Sequence, residues 1–278
     1  MEIEVVVAST AGFCSGVRQA IQEVQERLQE NRKLYCLGDI IHNPDVIESL
    51  KGSGLVVTDR IEAIPDGGRF VVRTHGLQKE ILQKAAAKEL TVFDFTCPRV
   101  KKIHHLVTTL TEDGYHILII GNPNHPEVQA ISSLIGTDHT VLQRPEDVPS
   151  DTIPEPNAVV VQTTFNPDIF LALLSSIVLR TKKTLVCNTL CGETLTRQQE
   201  AKKLAGETDF IVVVGGKHSS NTKTLFAQTR NIVPAVHIEN ARELQKDWFR
   251  QVKKVGVISG ASTPAQEVAR VADRLSEF

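Results

Sequence analysis

Three of the five cysteines, Cys14, Cys97 and Cys191, occupy the same kind of place: each follows an apolar, strand-like run and opens a helical one. The contexts are VVVASTAGF-Cys14-SGVRQAI, TVFDFT-Cys97-PRVKKIHHLV and TLVCNTL-Cys191-GETLTRQQEAKKL. A thiol at a helix N-terminus feels the positive end of the dipole, which favours thiolate, the form that ligates metal. Because about a third of the chain separates each cysteine from the next, the three can meet only if the chain folds back in similar thirds. An odd number of widely and unevenly spaced cysteines does not read as a disulfide framework, so the thiols are expected to be reduced. Three soft ligands without a Cys-x2-Cys pair favour an iron–sulfur centre over structural zinc. A 4Fe-4S cluster held by three cysteines instead of four would leave one iron open for chemistry. Catalytic zinc with a nearby His is the competing reading. Cys36 in KLYCLGD and Cys187 in TLVCNTL lie inside strand-like runs and read as core side chains, although Cys187 is close enough to Cys191 to rival it.

Other polar residues gather at the same strand-to-helix junctions. His42 in IIHNP, His75 in RTHG and His125 in NHPE sit beside Pro or Gly in loops, where imidazole can bind an anion or move a proton. His125-Pro126-Glu127 is the best acid/base candidate, and Thr163 lies at another strand end, in QTT. Ser219-Ser220-Asn221 precedes a helical run and offers hydroxyls, an amide and backbone N–H groups to an anion; a simple N-cap would use only one of them. Ser262 in SGASTP has the same character. His104 and His105 fall within a helical run and are assigned no function. No P-loop motif is present, and GFCSG and VVGGK are too weak to claim a dinucleotide site.

The elements that must position these residues form one repeated unit. Nine short Val/Ile-rich runs each end in a polar or glycine-bearing loop and pass into a helical pattern, from EVVVASTAGFCSG–VRQAI to VGVISGAST–PAQEV. Runs without alternation are buried on both faces, the mark of a parallel sheet in an α/β fold. Pro44, Pro98, Pro126, Pro167 and Pro264 stand where helices begin, as expected for the first helical position. Nine units divide into three domains, expected at 1–95, 96–190 and 191–278, with the N-terminal strand free to pack with another of them. Each third carries one of the three junction cysteines, Cys14, Cys97 or Cys191. The loop-like stretch 143–158 belongs inside the middle third. The chain has 278 residues, 41% hydrophobic and 23% charged, with a net charge of −2, which argues against a nucleic-acid or membrane-surface binder. No apolar run is long enough to span a bilayer, and the N-terminus has no signal-peptide pattern, so a cytoplasmic protein is expected.

Taken together, GFCSGV, HNP, THG, TVFDFTCP, HPE, QTT, NTLC with Arg197-Gln198, GKHSSN and SGAST make the chain resemble the 4-hydroxy-3-methylbut-2-enyl diphosphate reductases, the LytB/IspH family, over nearly its whole length. The resemblance implies a trefoil of three small α/β domains with parallel sheets around a central, cluster-containing cleft. It implies that Cys14, Cys97 and Cys191 hold a 4Fe-4S cluster. His42, His75, Ser219, Ser220, Asn221 and Ser262 would bind the diphosphate, and His125, Glu127 and Thr163 would surround the allylic hydroxyl and deliver protons. An allylic diphosphate as substrate and an electron donor such as ferredoxin or flavodoxin follow from the same resemblance. The chain departs from the family pattern in Arg197-Gln198-Gln199-Glu200-Ala201, one residue longer than the usual RQEA. It departs also in His218, where many relatives carry Asn, and in the extra thiol of Cys187.

Overall fold

The computed structural model describes residues 3–30 and 33–278. In chain order its elements are β1 (Glu4–Val7), α1 (Ser15–Gln29), β2 (Leu34–Leu37), α2 (Pro44–Gly52), β3 (Leu55–Thr58), β4 (Arg69–Val72), α3 (Lys79–Ala87), β5 (Thr91–Asp94), α4 (Pro98–Glu112), β6 (His116–Ile120), α5 (Pro126–Leu134), β7 (His139–Leu142), β8 (Asn157–Val161), α6 (Pro167–Val178), β9 (Thr184–Val186), α7 (Gly192–Glu207), β10 (Phe210–Val214), α8 (Ser220–Thr229), β11 (Ala235–Ile238), β12 (Lys254–Ser259) and α9 (Ala265–Ser276). All nine expected strand–loop–helix units are present. The strands form three four-stranded parallel sheets, ordered β3-β2-β4-β5, β7-β6-β8-β9 and β11-β10-β12-β1. This is the α/β class read from the sequence.

The three sheets repeat one path. A first inner strand (β2, β6 or β10) leads through a helix to an outer strand, and the chain then returns as a second inner strand. The place at the opposite edge is filled by β5, β9 and, in the third sheet, by β1, so the N-terminal strand completes a sheet otherwise built from C-terminal residues. Inner strands read as uninterrupted apolar runs because helices cover both faces: β8 (NAVVV) and β10 (FIVVV) are buried throughout. The outer strands β3 (LVVT), β7 (HTVL) and β11 (AVHI) did not emerge from the sequence. Each is a four-residue edge strand of mixed burial that follows an α-helix and leads only into a short 3-10 turn, so no long apolar run or helical pattern announces it.

Pro44, Pro98, Pro126 and Pro167 open α2, α4, α5 and α6 at the first position. Pro264 differs: it is the extended residue capping α9 (φ −65°, ψ 144°), one place before the helix starts. Of the stretch 143–158, residues 143–156 lie between β7 and β8, with a short 3-10 turn at Pro145–Asp147, and Asn157 and Ala158 already begin β8.

The described residues fall into two compact units. The first draws on Met1–Ile21, Ile41–Leu50 and Gly192–Phe278, and the second on Gln22–Ile40 and Lys51–Cys191. In the first, both faces of the β11-β10-β12-β1 sheet are covered. Val268, Val271 and Leu275 of α9, at helical spacing, pack with Val212, Val214 and Val257, while Ala201 and Leu204 of α7 and Leu225 of α8 pack with Ile211, Val213 and Ile258. In the second, Val107 of α4 and Ile131 of α5 pack with Ile117 and Ile119, Leu173 and Ile177 of α6 with Val159 and Val161, and Phe70 anchors a smaller cluster with Ile61, Ile64 and Ala85. These buried sheets are the fixed base from which the loops at the carboxyl ends of the strands project.

Candidate functional site

The sequence-predicted residues occupy equivalent positions in the repeat. A cysteine follows the edge strand opposite β3, β7 or β11 in each sheet: Cys14 after β1, Cys97 after β5, Cys191 after β9. Each cysteine donates its backbone N–H to a carbonyl two residues past the end of the adjacent inner strand: Cys14 to Ala261 (3.0 Å), Cys97 to Thr74 (3.0 Å) and Cys191 to Thr163 (2.9 Å). At Cys97 and Cys191 this bond keeps the register of the parallel ladder, and at Cys14 it forms after the intervening loop has left that register; each fixes the thiol-bearing residue to its sheet. The first inner strands β2, β6 and β10 lead to His42, His125 and Ser219, each five residues beyond the strand. The second inner strands β4, β8 and β12 lead to His75, Thr163 and Ser262.

All five cysteines are free thiols. The N–H of Val17 points at the Cys14 sulfur (3.4 Å). Burial pushes the Cys97 thiol up, the backbone N–H groups of Arg99 and Val100 pull it down, and Cys191 and Glu127 nearby raise it further. Cys36 is wholly buried and pushed up to about 12, a core thiol as expected. Cys187 was also read as core. Its N–H bonds to Val159 (2.9 Å) and its side chain packs beside the α4–β6 cluster, but it keeps partial exposure, and burial raises its pKa.

The second unit brings together the acid/base set. His125 caps α5, its Nδ1 accepting the N–H of Glu127 (3.2 Å), which places the proton of the neutral ring on Nε2. Glu127 is 1% exposed. Its two carboxylate oxygens accept the Thr163 N–H (2.7 Å) and the Thr163 hydroxyl (2.6 Å). Burial pushes the Glu127 carboxyl above its ordinary range against the pull of those two bonds. The result is a carboxyl that keeps its proton to higher pH than an exposed one. The His75 ring meets that of His125 edge-on, with centroids 5.5 Å apart at 84°. His75 is carried by a turn in which Gly76 has φ +80°, and a Cβ there would lie 2.7 Å from the His104 ring. His104 therefore packs beneath this turn. Sequence reasoning passed over Gln162, which is fully buried and ties two site loops together: its Oε1 accepts the Asn122 N–H (3.0 Å) and its amide donates to Thr164 (3.0 Å). The QTT pattern at a strand end was its only signal.

The first unit holds His42, Ser219, Ser220, Asn221 and Ser262, together with Cys14. Ser219 caps α8, accepting the Thr222 N–H (3.3 Å). Ser262 donates to the His42 carbonyl (3.2 Å). A Cβ on Gly216 would lie 2.2 Å from that same carbonyl, so only glycine lets the two loops approach. Asn221 is 3% exposed, and neither its amide oxygen nor its nitrogen has a partner among the described residues. A buried amide in that state costs stability unless a ligand engages it. The set is one of hydroxyls, an amide and N–H groups at a helix N-terminus, suited to holding an anion without a fixed positive charge.

Among the described residues no helix is long and apolar enough to cross a membrane. Comparison with known proteins agrees over almost the full length. The family model described as LytB protein matches residues 5–276. Named as 4-hydroxy-3-methylbut-2-enyl diphosphate reductases are a protein of Aquifex aeolicus, 38% identical over 99% of this chain and 97% of its own length, and one of Geobacter sp. strain M21, 39% identical over 99% and 97%. Among solved structures, the E-1-hydroxy-2-methyl-but-2-enyl-4-diphosphate reductase of Plasmodium falciparum superposes with a TM-score of 0.94 at 28% identity, covering 98% of this chain and 88% of that one. A second, of (E)-4-hydroxy-3-methyl-but-2-enyl diphosphate reductase, described as the terminal enzyme of the non-mevalonate pathway, gives 0.73 at 37% identity, covering 99% and 100%.

Proposed function

The chain belongs to the LytB family, and we propose that it reduces (E)-4-hydroxy-3-methylbut-2-enyl diphosphate to isopentenyl and dimethylallyl diphosphate. The observation that carries this reading is Glu127: a buried acid bonded to Thr163, whose carbonyl in turn accepts the N–H of Cys191, one of the three cysteines at equivalent strand ends.

Cys14, Cys97 and Cys191 are the residues that would hold a 4Fe-4S cluster. The donor set suits it, with free thiols, soft sulfur, and backbone N–H groups directed at Cys14 and Cys97 that stabilise thiolate. When bound, the cluster supplies Lewis acidity and one-electron transfer. The chain's own residues do the rest. Ser219, Ser220, Asn221 and Ser262, with His42 and His75, hold the diphosphate and so orient the far end of the substrate. Asn221 is given the partner it lacks. Glu127 donates its proton to the departing hydroxyl oxygen as the C–O bond breaks, releasing water. Thr163, hydrogen-bonded to both carboxylate oxygens, sets the direction of that transfer. His125, with its proton on Nε2, is a second donor beside it. Two electrons, from a donor such as ferredoxin or flavodoxin, and a further proton at either end of the allylic fragment complete the reduction.

Anaerobically reconstituted protein should be brown and should turn over the allylic diphosphate with a chemical reductant. Cys191→Ser should lose its iron while Cys187→Ser keeps it. A colourless wild-type protein, or one that leaves the substrate intact, rules the reading out, and the opposite pattern of iron loss moves the ligand role to Cys187.

A further inference from the structure

The loop from β1 to α1, which carries Cys14, is gripped by one face of α7. Glu193, Arg197 and Glu200 stand four and three residues apart on that helix, the spacing that lines side chains along one face. Glu200 accepts the backbone N–H of Ser9 (2.6 Å) on one oxygen, and on the other the N–H of Thr10 (2.9 Å) together with the Thr10 hydroxyl. Arg197, only 4% exposed, donates to the Gly12 carbonyl (3.0 Å) and to the Ser259 carbonyl (3.0 Å). Glu193 accepts the N–H (3.0 Å) and the hydroxyl of Ser15. Two further bonds complete the grip, from the Gly12 N–H to the Ser259 hydroxyl (2.9 Å) and from the Cys14 N–H to Ala261. A connection this short needs no three charged side chains merely to turn a corner. Arg197 in particular is a nearly buried cation, costly to keep unless its bonds serve a purpose.

We propose that Glu200, acting with Arg197 and Glu193, is a positioning residue for Cys14: the α7 clasp holds the thiol-bearing loop in its ligating shape before any metal arrives. The proposal rests on the reading of Cys14 as a cluster ligand. A loop ordered in advance spends no conformational entropy when the metal binds, so the cluster is held more firmly than by a loop that must be ordered at that moment. Glu200 reaches the loop through the Ser9 and Thr10 backbone N–H groups and the Thr10 hydroxyl.

The test compares wild type with Glu200→Ala, Glu200→Gln and, as a control on the same helix, the exposed Lys203→Ala. Amide hydrogen exchange is measured on the apo-protein, and iron release to a chelator and the electron paramagnetic resonance of the reduced cluster on the reconstituted protein. Loss of charge-assisted bonds should speed exchange at Ser9 and Thr10 about ten-fold or more in Glu200→Ala. Iron release should quicken several-fold and the resonance should change, while Lys203→Ala behaves as wild type. Glu200→Gln, which keeps one acceptor and nearly the same shape, should fall between, and it is the variant to read if Glu200→Ala folds poorly. Faster exchange with wild-type iron release and resonance would make the clasp a fold element only and overturn the proposal. So would unchanged exchange. A wild-type protein that takes up no cluster overturns the functional reading and the clasp with it, whereas a cluster held equally well by wild type and variants overturns the clasp alone.

Discussion

Glu127 in the second unit and Glu200 in the first are bound in nearly the same way, each accepting backbone N–H and a threonine hydroxyl, yet their carboxyls move in opposite directions. At both sites burial is the largest influence and pushes up. At Glu127, wholly buried with two bonds from Thr163, burial wins and the pKa is raised. At Glu200, only partly buried with bonds from Thr10 and Ser9, the donors win and the pKa is lowered. Similar donors therefore leave a carboxyl that holds its proton to higher pH in one place and one that ionises more readily in the other; deeper burial and fewer bonds set Glu127 apart from Glu200. The contrast extends to the two regions. The first unit gathers the hydroxyls of Ser219 and Ser262 and the buried amide of Asn221, and the second the buried acid Glu127.

The strongest attempt to break this contrast is Glu127→Gln. Turnover should fall about 10²- to 10⁴-fold, the usual weight of a general acid, with cluster absorbance and substrate binding retained. Near-normal turnover would strip the second unit of its distinct role. Next comes Asn221→Ala in the first unit, which should raise KM roughly ten-fold, as loss of a hydrogen bond to a charged ligand does, with a smaller change in kcat. A fall in kcat at constant KM would mean that both regions share the chemistry. Gly216→Ala sharpens the structural side. A Cβ placed 2.2 Å from the His42 carbonyl must push the loops apart, costing about 1–3 kcal/mol, read as a lower melting temperature together with weaker substrate binding.

The smallest effect is the most direct reading of the two glutamates. For Glu127 the folded pKa lies above the ordinary 4.5, so nothing is lost below pH 4.5, and stability declines as pH rises through the folded value. The melting temperature of Glu127→Gln relative to wild type should therefore climb from pH 4.5 to pH 8. For Glu200 the folded value lies below 4.5, so its contribution is present above that pH and fades as pH falls through the folded value. Glu200→Gln should be less stable than wild type at pH 7 and converge with it in acid. Parallel pH curves for the two variants would refute the opposite titrations.

Much of this was legible before the fold was known. The cysteines could be placed at strand-to-helix junctions because apolar runs, loops and prolines are local signals, and Cys14, Cys97 and Cys191 proved to follow β1, β5 and β9. The strands β3, β7 and β11 escaped because a four-residue edge strand leaves hardly more trace than a loop. Gln162 and Glu200 escaped because their partners lie 40 and 190 or more residues away in the chain.

The nine strand–loop–helix units, the apolar inner strands and the chemical types at the loop ends were determined by the sequence alone, since each depends on neighbours a few residues off. Which strand completes the third sheet, which hydroxyl meets which carboxylate, and whether a glutamate keeps or yields its proton were decided only by the tertiary structure. The physical reason is that desolvation and hydrogen-bond supply are sums over atoms contributed by distant segments, and no stretch of sequence carries that sum.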